Sequence, residues 1–496
     1  MTSPSIDATP DNSRVAAASP PALPDRLPAL TKTILAVLMI GAFVVILNET
    51  AMNVALSRIM SDLAVTERTA QWLTTGFMLT MAVVIPISGW LLQRLSTRGV
   101  FTLAMSLFAA GTAIAIGSPN FTLLLVARVV QASGTAVMMP LLMTTVMELV
   151  PLHLRGRIMG TISLVIATAP AIGPTVSGVV LQFLSWRFVF VLVLPIALAI
   201  LFVGRRVVPN LDEPQPVRLD VLSIPLTALG FGGLVYGLSL VGNPTVPGWE
   251  LSAVLAVGAL ALVAFLVRQL ILQRQDRALL DLRTFQRPAF TIAIAVMAVV
   301  MMVLFGSIIA TPLVLQQVLH LEPLTVGLLL LPGGLLMGLL GPVVGRLYDR
   351  VGPRLLVVPG AIVVGGSFAI YATISTATQW WQLLIANVLL SLGLAFMMTP
   401  LFTSAMAALP HHLYSYGSAT IGTVQQVAGA AGTALFVTIM STVGGRAAAA
   451  GEAAEAALAT GARTAFLVVG LVWLLTVVGG LFLNRVQPVA DSAPAL

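Results

Sequence analysis

Two ionisable residues stand inside stretches that are otherwise apolar. Glu49 follows the uncharged run 33–46, and Arg128 lies within another apolar stretch. Charged side chains at membrane depth are costly, so they face a bundle interior or a cavity and pair with one another. A carboxyl in such a place can bind and release a proton, and a nearby cation affects how readily it does so. The two residues therefore indicate a proton-coupling site, with Glu49 as the proton carrier and Arg128 as its partner.

The depth of these two residues within their helices favours one shared site. Glu49 comes nine residues before Arg58, and Arg128 comes eight residues after Asn120. At about 1.5 Å per residue, both lie on the order of 10–14 Å below the same surface. Asn53, one turn from Glu49, and Gln131, nearly one turn from Arg128, would complete a polar cluster. The alternative is a structural ion pair that never titrates.

The composition identifies the solvent as lipid. The chain has 496 residues, of which 58% are hydrophobic and 9% charged, whereas soluble domains carry about a quarter charged residues. It has no cysteine, so disulfides and thiol-bound metals are excluded. All four histidines lie in loop regions, and no Gly-Lys-Ser/Thr phosphate loop is present. We therefore expect a transporter rather than an enzyme, with no metal, no cofactor and no use of ATP.

Fourteen stretches are long and apolar enough to span a bilayer, which needs about 20 such residues. The predicted spans are 33–57, 71–93, 99–117, 121–146, 157–182, 187–205, 219–241, 250–272, 289–315, 325–345, 354–374, 379–404, 417–442 and 464–484. An even number of spans puts both termini on the same side of the membrane.

The basic residues give the orientation and argue against nucleic acid. With a cytoplasmic N-terminus, nineteen of the 25 Lys and Arg residues lie inside, five lie outside, and Arg128 lies within a span. An excess of positive charge in short loops marks the cytoplasmic side. Both termini are therefore expected to be cytoplasmic. Because the basic residues are spread over these loops, the net charge of +7 does not indicate a nucleic-acid partner.

An internal repeat divides the chain. "PISGWLLQRLSTR" (86–98) matches "PVVGRLYDRVGPR" (342–354) at an offset of 256, and "ARVVQASGTAVMM" (127–139) matches "ANVLLSLGLAFMM" (386–398) at 259. Spans 1–6 and 9–14 therefore form two duplicated halves with a substrate site between them. We expect these units: a disordered tail 1–30, a six-helix bundle 31–206, two inserted helices 207–274, a linker 275–288, a second bundle 289–485 and a tail 486–496.

Two connections have further structure in this interpretation. In the linker, Leu279, Leu282 and Phe285 stand at helical spacing among arginines, which predicts a short amphipathic helix on the inner leaflet. A plain solvated loop is the alternative. The outer loop 443–463 is rich in alanine and is expected to contain a short helix.

The matched loops resemble motif A of the major facilitator superfamily, Gly-x-x-x-Asp-Arg-x-Gly-x-Arg. The motif residues of the two copies are Gly89, Arg94 and Arg98, and Gly345, Asp349, Arg350 and Arg354. In the first copy, Gln93 stands where the motif has its acid. An acid and arginines beside helix ends can hold one side of a transporter closed. The alternative is that these arginines only set the topology.

Two further stretches resemble motifs of the same superfamily. "RVVQASG" (128–134) is similar to motif B, which implies that Arg128 takes part in proton coupling. "APAIGPTVSG" (169–178) is similar to the antiporter motif C, whose Gly173, Pro174 and Gly178 would thin and kink the fifth span where it packs on a neighbour. Generic packing of small residues is the alternative.

With fourteen spans, these motifs make the chain resemble the drug:proton antiporter-2 family. "LNETAMNVAL" (47–56) resembles the first-helix motif of that family, with Asn48 at the usual aspartate position and Glu49 beside it. One residue is about 100° around a helix, so which way Glu49 faces stays open. The resemblance implies an all-α major facilitator fold of two six-helix bundles plus two inserted helices.

It also implies a proton-coupled antiporter that exports amphipathic drugs or antibiotics by alternating access. We expect a multi-pass monomer in the bacterial cytoplasmic membrane, with a proton, a lipophilic small molecule and membrane lipid as partners. The repeated methionines Met138 and Met397 suit an adaptable substrate cavity, together with Asn48, Asn53 and Gln131, although core packing would also explain the methionines. The alternatives are an exporter of one metabolite or lipid, and a sensor that transports nothing.

Overall fold

The computed structural model describes residues 27–211, 220–241, 246–275 and 277–483. Over these ranges, fourteen helices are long and apolar enough to cross a membrane. They are α1 Ala29–Asp62, α2 Glu67–Arg94, α3 Thr97–Ile116, α4 Phe121–Leu149, α5 Leu152–Phe183, α6 Arg187–Val207, α7 Ser223–Leu240, α8 Gly248–Leu272, α9 Pro288–Gln317, α10 Pro323–Val351, α11 Arg354–Tyr371, α12 Trp380–Ala407, α13 Tyr414–Ala449 and α14 Ala454–Leu481.

Each of the fourteen predicted spans corresponds to one of these helices. Several helices run past the apolar stretch that predicted them, because polar side chains cap their ends. Thr66, Ser96 and Asn120 accept hydrogen bonds from backbone N–H groups in the first turns of α2, α3 and α4. The predicted tails fall mostly on residues 1–26 and 484–496, which lie outside the described ranges.

The two halves, α1–α6 and α9–α14, pack their helices in matching pairs. A glycine in each half shows the match in detail. A Cβ on Gly134 of α4 would overlap the Ala104 carbonyl oxygen of α3, and a Cβ on Gly393 of α12 would lie 2.5 Å from the Gly360 carbonyl oxygen of α11. These contacts are related by the same offsets that the sequence repeat shows. The helices of each pair approach this closely because glycine carries no side chain.

The halves meet at the end of the bundle that carries Arg94, Arg155 and Arg350, which we name the arginine-rich end. There, Gly156 and Gly160 of α5 face Gly341 and Gly345 of α10. A Cβ on Gly345 would overlap the Gly156 carbonyl oxygen, and a Cβ on Gly341 would overlap that of Gly160. Each helix therefore presents a Gly-x-x-x-Gly face to the other, and their backbones touch.

Hydrogen bonds that join the two halves also lie toward the arginine-rich end. Thr144 of α4 bonds to Ser418 of α13 at 3.1 Å, and Ser163 of α5 bonds to Thr399 of α12 at 2.8 Å. Toward the opposite end, a Cβ on Gly327 of α10 would meet no atom within 4 Å. The structure is therefore a state that is closed at the arginine-rich end.

At the opposite end of the first half, one carboxylate joins the end of α1 to the beginning of α6. Asp62 accepts hydrogen bonds from Arg187 at 2.7 Å and from the Trp186 indole at 2.9 Å. These two donors hold the pKa of Asp62 below its usual range. The pair is therefore intact at neutral pH, and its contribution to stability is lost only as the pH falls through that lowered pKa.

Two expectations about the connections are wrong. The linker residues 277–287 do not form an amphipathic α-helix, since the helical part of this stretch is the 3-10 turn Leu282–Gln286. Leu279 is fully buried against α2 and α13 rather than lying on the leaflet. The alanine-rich outer loop has no separate helix, because α13 continues to Ala449 and α14 begins at Ala454.

We predict that Gly341→Val opens the arginine-rich end. The added side chain meets the backbone of α5, and such overpacking costs about 1–3 kcal/mol. Thr399 is fully buried in the seam, so Thr399→Cys is a reporter in a chain that has no other cysteine. In the valine variant, a water-soluble maleimide should label this cysteine about fivefold faster or more.

Gly327→Val is the matched control, since this glycine lies on the same helix and its missing Cβ would meet nothing within 4 Å. Equal labelling rates in the two valine variants would contradict the assignment of the α5–α10 crossing as the closure point.

Candidate functional site

The two adjacent residues Asn48 and Glu49 of α1 have different surroundings. Asn48 is fully buried, and neither its amide nitrogen nor its amide oxygen has a hydrogen-bond partner among the described residues. Gly41 lies seven residues earlier on nearly the same face of the helix and packs on Met138 of α4 and Ile200 of α6. Asn48 therefore points into the first bundle, whereas Glu49, about 100° further round, is only half-buried.

Arg128 is fully buried between α4 and α2. Its guanidinium lies 4.1 Å from the centre of the Phe77 ring, which is the geometry of a cation–π contact. It also donates to the Gln131 side chain at 3.1 Å and, over a long 3.5 Å, to the Leu73 carbonyl. A cation held this way keeps its charge inside the bundle without a carboxylate in direct contact.

Glu49 and Arg128 interact through space rather than as a contact pair. The Coulombic influence of Arg128 reaches Glu49, but within the described ranges the hydrogen bonds of the guanidinium go to Gln131 and Leu73. The structure thus places the two charges near each other and leaves the carboxylate without an ion-pair partner among those residues. Asn53 lies on α1, but its side chain is outside the described part of the chain.

The other predicted cavity residues lie in helix contacts. Gln131 is fully buried and donates to Thr112 of α3 at 2.9 Å. Met138 and Met397 are also fully buried, and Met397 contacts the backbone at Gly360. In this state, Asn48, Gln131, Met138 and Met397 therefore do not line open space, because all four point into the packing within their own halves.

The second half has the same geometry without the charges. Asn387, the repeat equivalent of Arg128, donates to the Leu330 carbonyl at 3.5 Å, one residue beyond the position that the offset of 256 pairs with Leu73, the acceptor of Arg128. Gly432 of α13 packs on Met302 of α9 as Gly173 of α5 packs on Leu47 of α1, and this match aligns Glu49 with Leu304. The candidate proton site therefore belongs to the first half alone.

Of the three motif C residues, Gly173 makes the close contact. A Cβ there would overlap the Thr50 hydroxyl and lie 3.0 Å from the Leu47 carbonyl oxygen. Gly178 differs, since a Cβ there would meet no atom within 4 Å. Pro174 is helical in α5, with its side chain outside the described part of the chain. Gly173 thus fixes α5 against the turn of α1 that carries Glu49.

The second motif A copy docks on the first half. The Asp349 carboxylate on α10 accepts hydrogen bonds from the backbone N–H groups of Gly156 at 3.0 Å and Arg157 at 3.1 Å. These groups lie near the beginning of α5, where a helix attracts negative charge. The acid therefore helps to hold the arginine-rich end closed.

The first copy docks in the same way although it lacks the acid. The Gln93 amide donates to Ser415 at 3.0 Å and accepts from the Tyr416 hydroxyl at 3.0 Å, near the beginning of α13. By the repeat offset, Ser415 and Tyr416 correspond to Gly156 and Arg157. Glutamine thus replaces the aspartate, the Tyr416 hydroxyl replaces one backbone donor, and the Ser415 hydroxyl serves as an acceptor for the glutamine amide.

The arginines of motif A are exposed. Arg98 donates to the Val208 carbonyl at 2.8 Å and so ties α3 to the end of α6. Arg94, Arg350 and Arg354 lie at helix ends on the surface of the arginine-rich end. Gly89 of the first copy is buried where α2 meets α13.

An apolar pocket of about 400 Å³ lies away from the predicted site, between α2 and α7. Trp72 and Tyr236 line it, and their rings are 5.5 Å apart. The π-helical turn Ala228–Gly232 of α7 also faces it. No feature of the sequence analysis indicated this pocket.

The facing Gly-x-x-x-Gly pairs of α5 and α10 were also missed. Their spacing is visible in the sequence, at 156 and 160 and at 341 and 345. The spacing is the signal that would have predicted this crossing.

We predict that Gly173→Val destabilises the protein. The added side chain meets the α1 backbone, and overpacking of this kind costs about 1–3 kcal/mol. Thermal unfolding of the purified protein should show a lower midpoint. Gly178→Val, one turn further along α5 in open space, should stay within about 0.5 kcal/mol of the parent protein. If both variants unfold at the same temperature, Gly173 is not the packing point.

Comparison with known proteins agrees with this geometry. The profile of the Major Facilitator Superfamily matches residues 38–433. The lincomycin resistance protein LmrB of Bacillus subtilis strain 168 is 38% identical over 461 residues, covering 91% of this chain and 95% of that protein. The uncharacterized MFS-type transporter YcnB of the same organism is 37% identical over 475 residues, covering 95% of this chain and 99% of that one.

Among solved structures, the human organic anion transporter MFSD10 (TETRAN) aligns with a TM-score of 0.67. The alignment covers 91% of this chain and 100% of that chain at 15% identity. At this identity the likeness concerns the fold alone.

Proposed function

The chain belongs to the major facilitator superfamily, and from this premise we propose that it is a proton-coupled antiporter that exports amphipathic drugs or antibiotics. The observation that carries the proposal is the half-buried Glu49, which lies within electrostatic reach of the buried Arg128. A carboxyl that does not share its charge in a contact pair is available to bind a proton or a cationic substrate. Relatives named for lincomycin resistance support the substrate class.

Coupling follows from what protonation does to this pair. Ionised Glu49 attracts the Arg128 charge across the bundle, and protonated Glu49 does not. A ligand or proton shifts a conformational equilibrium only by its different affinity for the two states. Glu49 therefore couples transport if its surroundings differ between the states that open to each side. Gly173 positions the α1 turn that carries the acid, so a movement of α5 is transmitted to it.

We place the arginine-rich end in the cytoplasm, because nineteen of the 25 basic residues lie on that side of the predicted spans. In this orientation the structure is an outward-facing state, closed to the cytoplasm by α5 and α10. Both halves of the fold are present in one chain and pack against each other, so we propose that the protein works as a monomer in the bacterial cytoplasmic membrane.

The first test is Glu49→Gln in proteoliposomes with an imposed pH gradient. Lincomycin and ethidium serve as separate probes. The amide keeps the size of the side chain but does not titrate, so proton-driven transport should fall about tenfold or more, as for the loss of a charged functional group. Exchange of labelled for unlabelled probe without a gradient should continue, because that exchange moves no net proton.

Glu322→Gln is the control, since Glu322 is exposed at the beginning of α10, and it should transport as the parent protein does. Unchanged proton-driven transport in Glu49→Gln would exclude Glu49 as the proton carrier. Transport of neither probe by the parent protein would favour an exporter of one other product.

The orientation has its own test in intact cells. An impermeant maleimide should label Ala450→Cys, in the loop between α13 and α14, without permeabilisation. It should label Leu95→Cys, at the arginine-rich end, only after the cells are permeabilised. Both positions are exposed, and the parent chain has no cysteine. The reverse pattern would invert the assignment.

A further inference from the structure

The inserted helices α7 and α8 lie over the seam where α2 of the first half meets α13 of the second half. α7 packs on both α2 and α13. Buried side chains from α7, α8 and the linker form one apolar cluster with these two helices. Its buried members include Phe231, Phe265, Leu279, Ala82 and Ala419. The insertion therefore contacts the first half and the second half at the same time.

A polar chain anchors α8 to the beginning of α7. Arg268 of α8 forms a two-point ion pair with Asp220, with both nitrogen–oxygen distances at 2.6 Å. This guanidinium holds the pKa of Asp220 below its usual range, so the pair stays ionised at neutral pH. Asp220 also accepts from Ser223, whose hydroxyl in turn accepts from the Gln269 side chain at 2.8 Å.

Gln269 connects this hydrogen-bond network to the linker. Its amide oxygen accepts from the backbone N–H groups of Leu279 at 2.7 Å and Leu280 at 3.2 Å. Gln269 is fully buried, as is Leu279, so these bonds lie away from water. A buried backbone N–H that loses its acceptor is costly. One amide thus fixes the position of the linker backbone.

The linker in turn touches both sides of the seam. The Tyr416 hydroxyl of α13 is 3.3 Å from the Ala278 carbonyl oxygen and 3.0 Å from the Gln93 side-chain oxygen of α2. Gly89 of α2 lies beside the linker, since a Cβ there would be in ordinary contact with the Leu279 carbonyl oxygen at 3.5 Å. Residues 278 and 279 therefore meet α2 and α13 where these helices dock.

We propose that α7, α8 and the linker form a strap across the α2–α13 seam, with Gln269 as the positioning residue that holds it. The arginine-rich end opens only if α2 and α13 separate, and the linker must then leave one of them. The strap therefore stabilises the state closed at that end. This inference rests on the alternating access of the proposed function and assigns the inserted helices a role in it.

The test measures opening directly, without substrate or pH gradient. In the full chain carrying Thr399→Cys, a water-soluble maleimide reports exposure of the α5–α12 seam, where Thr399 bonds to Ser163 and to no residue of the strap. Gln269→Leu removes the acceptor for two buried N–H groups and should raise the labelling rate about three- to tenfold. Gln273→Leu is the matched control, one turn further on, since its side-chain oxygen has no hydrogen-bond partner among the described residues.

Tyr416→Phe is the second variant, in case Gln269→Leu does not fold. It removes only the hydroxyl and should also speed labelling. In the double variant Gln269→Leu/Tyr416→Phe, the labelling rate should rise by less than the product of the fold-increases in the two single variants, because both residues act through the linker. Equal rates in Gln269→Leu, Gln273→Leu and the parent, or fully independent effects of Gln269 and Tyr416, would overturn the strap. Loss of transport in Glu49→Gln leaves this readout unchanged, so the two proposals fail separately.

Discussion

Two helices in a bilayer gain little from burying apolar side chains against each other, because lipid is equally apolar, so close backbone contact has to hold them together. The closed end of this protein depends on that constraint. Gly156 and Gly160 of α5 meet Gly341 and Gly345 of α10 with backbone against backbone. The same contact places the beginning of α5 within reach of Asp349. Close packing and polar docking thus form one unit, because the hydrogen bonds require the approach that glycine permits.

At the second seam between the halves, α2–α13, different groups make the polar contact. Gln93 takes the place of the motif acid and bonds to side chains at the beginning of α13. A neutral amide has no charge to attract the positive beginning of the helix, so it holds this seam less strongly than Asp349 holds the other. The insertion and the linker cover the seam that has the glutamine. The weaker dock therefore has the additional cover.

The sequence predicted the number of helices, their order and the duplicated halves because those features depend on apolar length and on repeated spacing. It did not predict where Asn48, Gln131 and Met138 point. Helix rotation depends on which neighbour is closest, and Gly41 and Gly111 settle that through tertiary contacts. The linker was misread for a related reason. Its leucine spacing is typical of an amphipathic helix on a membrane leaflet. In the structure, Leu279 is buried at the α2–α13 seam, and its backbone N–H donates to Gln269.

The unequal halves bear on how one site can sense a proton. In both halves the residue at this position, Arg128 or Asn387, donates to a carbonyl of the second helix of its half, and a glycine fixes the fifth helix of each half against its first. Only the first half has an acid and a buried cation on this frame. If both halves had them, the site would hold two proton-binding groups that influence each other. With Leu304 at the position equivalent to Glu49, the proposed site has one carboxyl and one buried cation, and the second half has uncharged side chains at both equivalent positions.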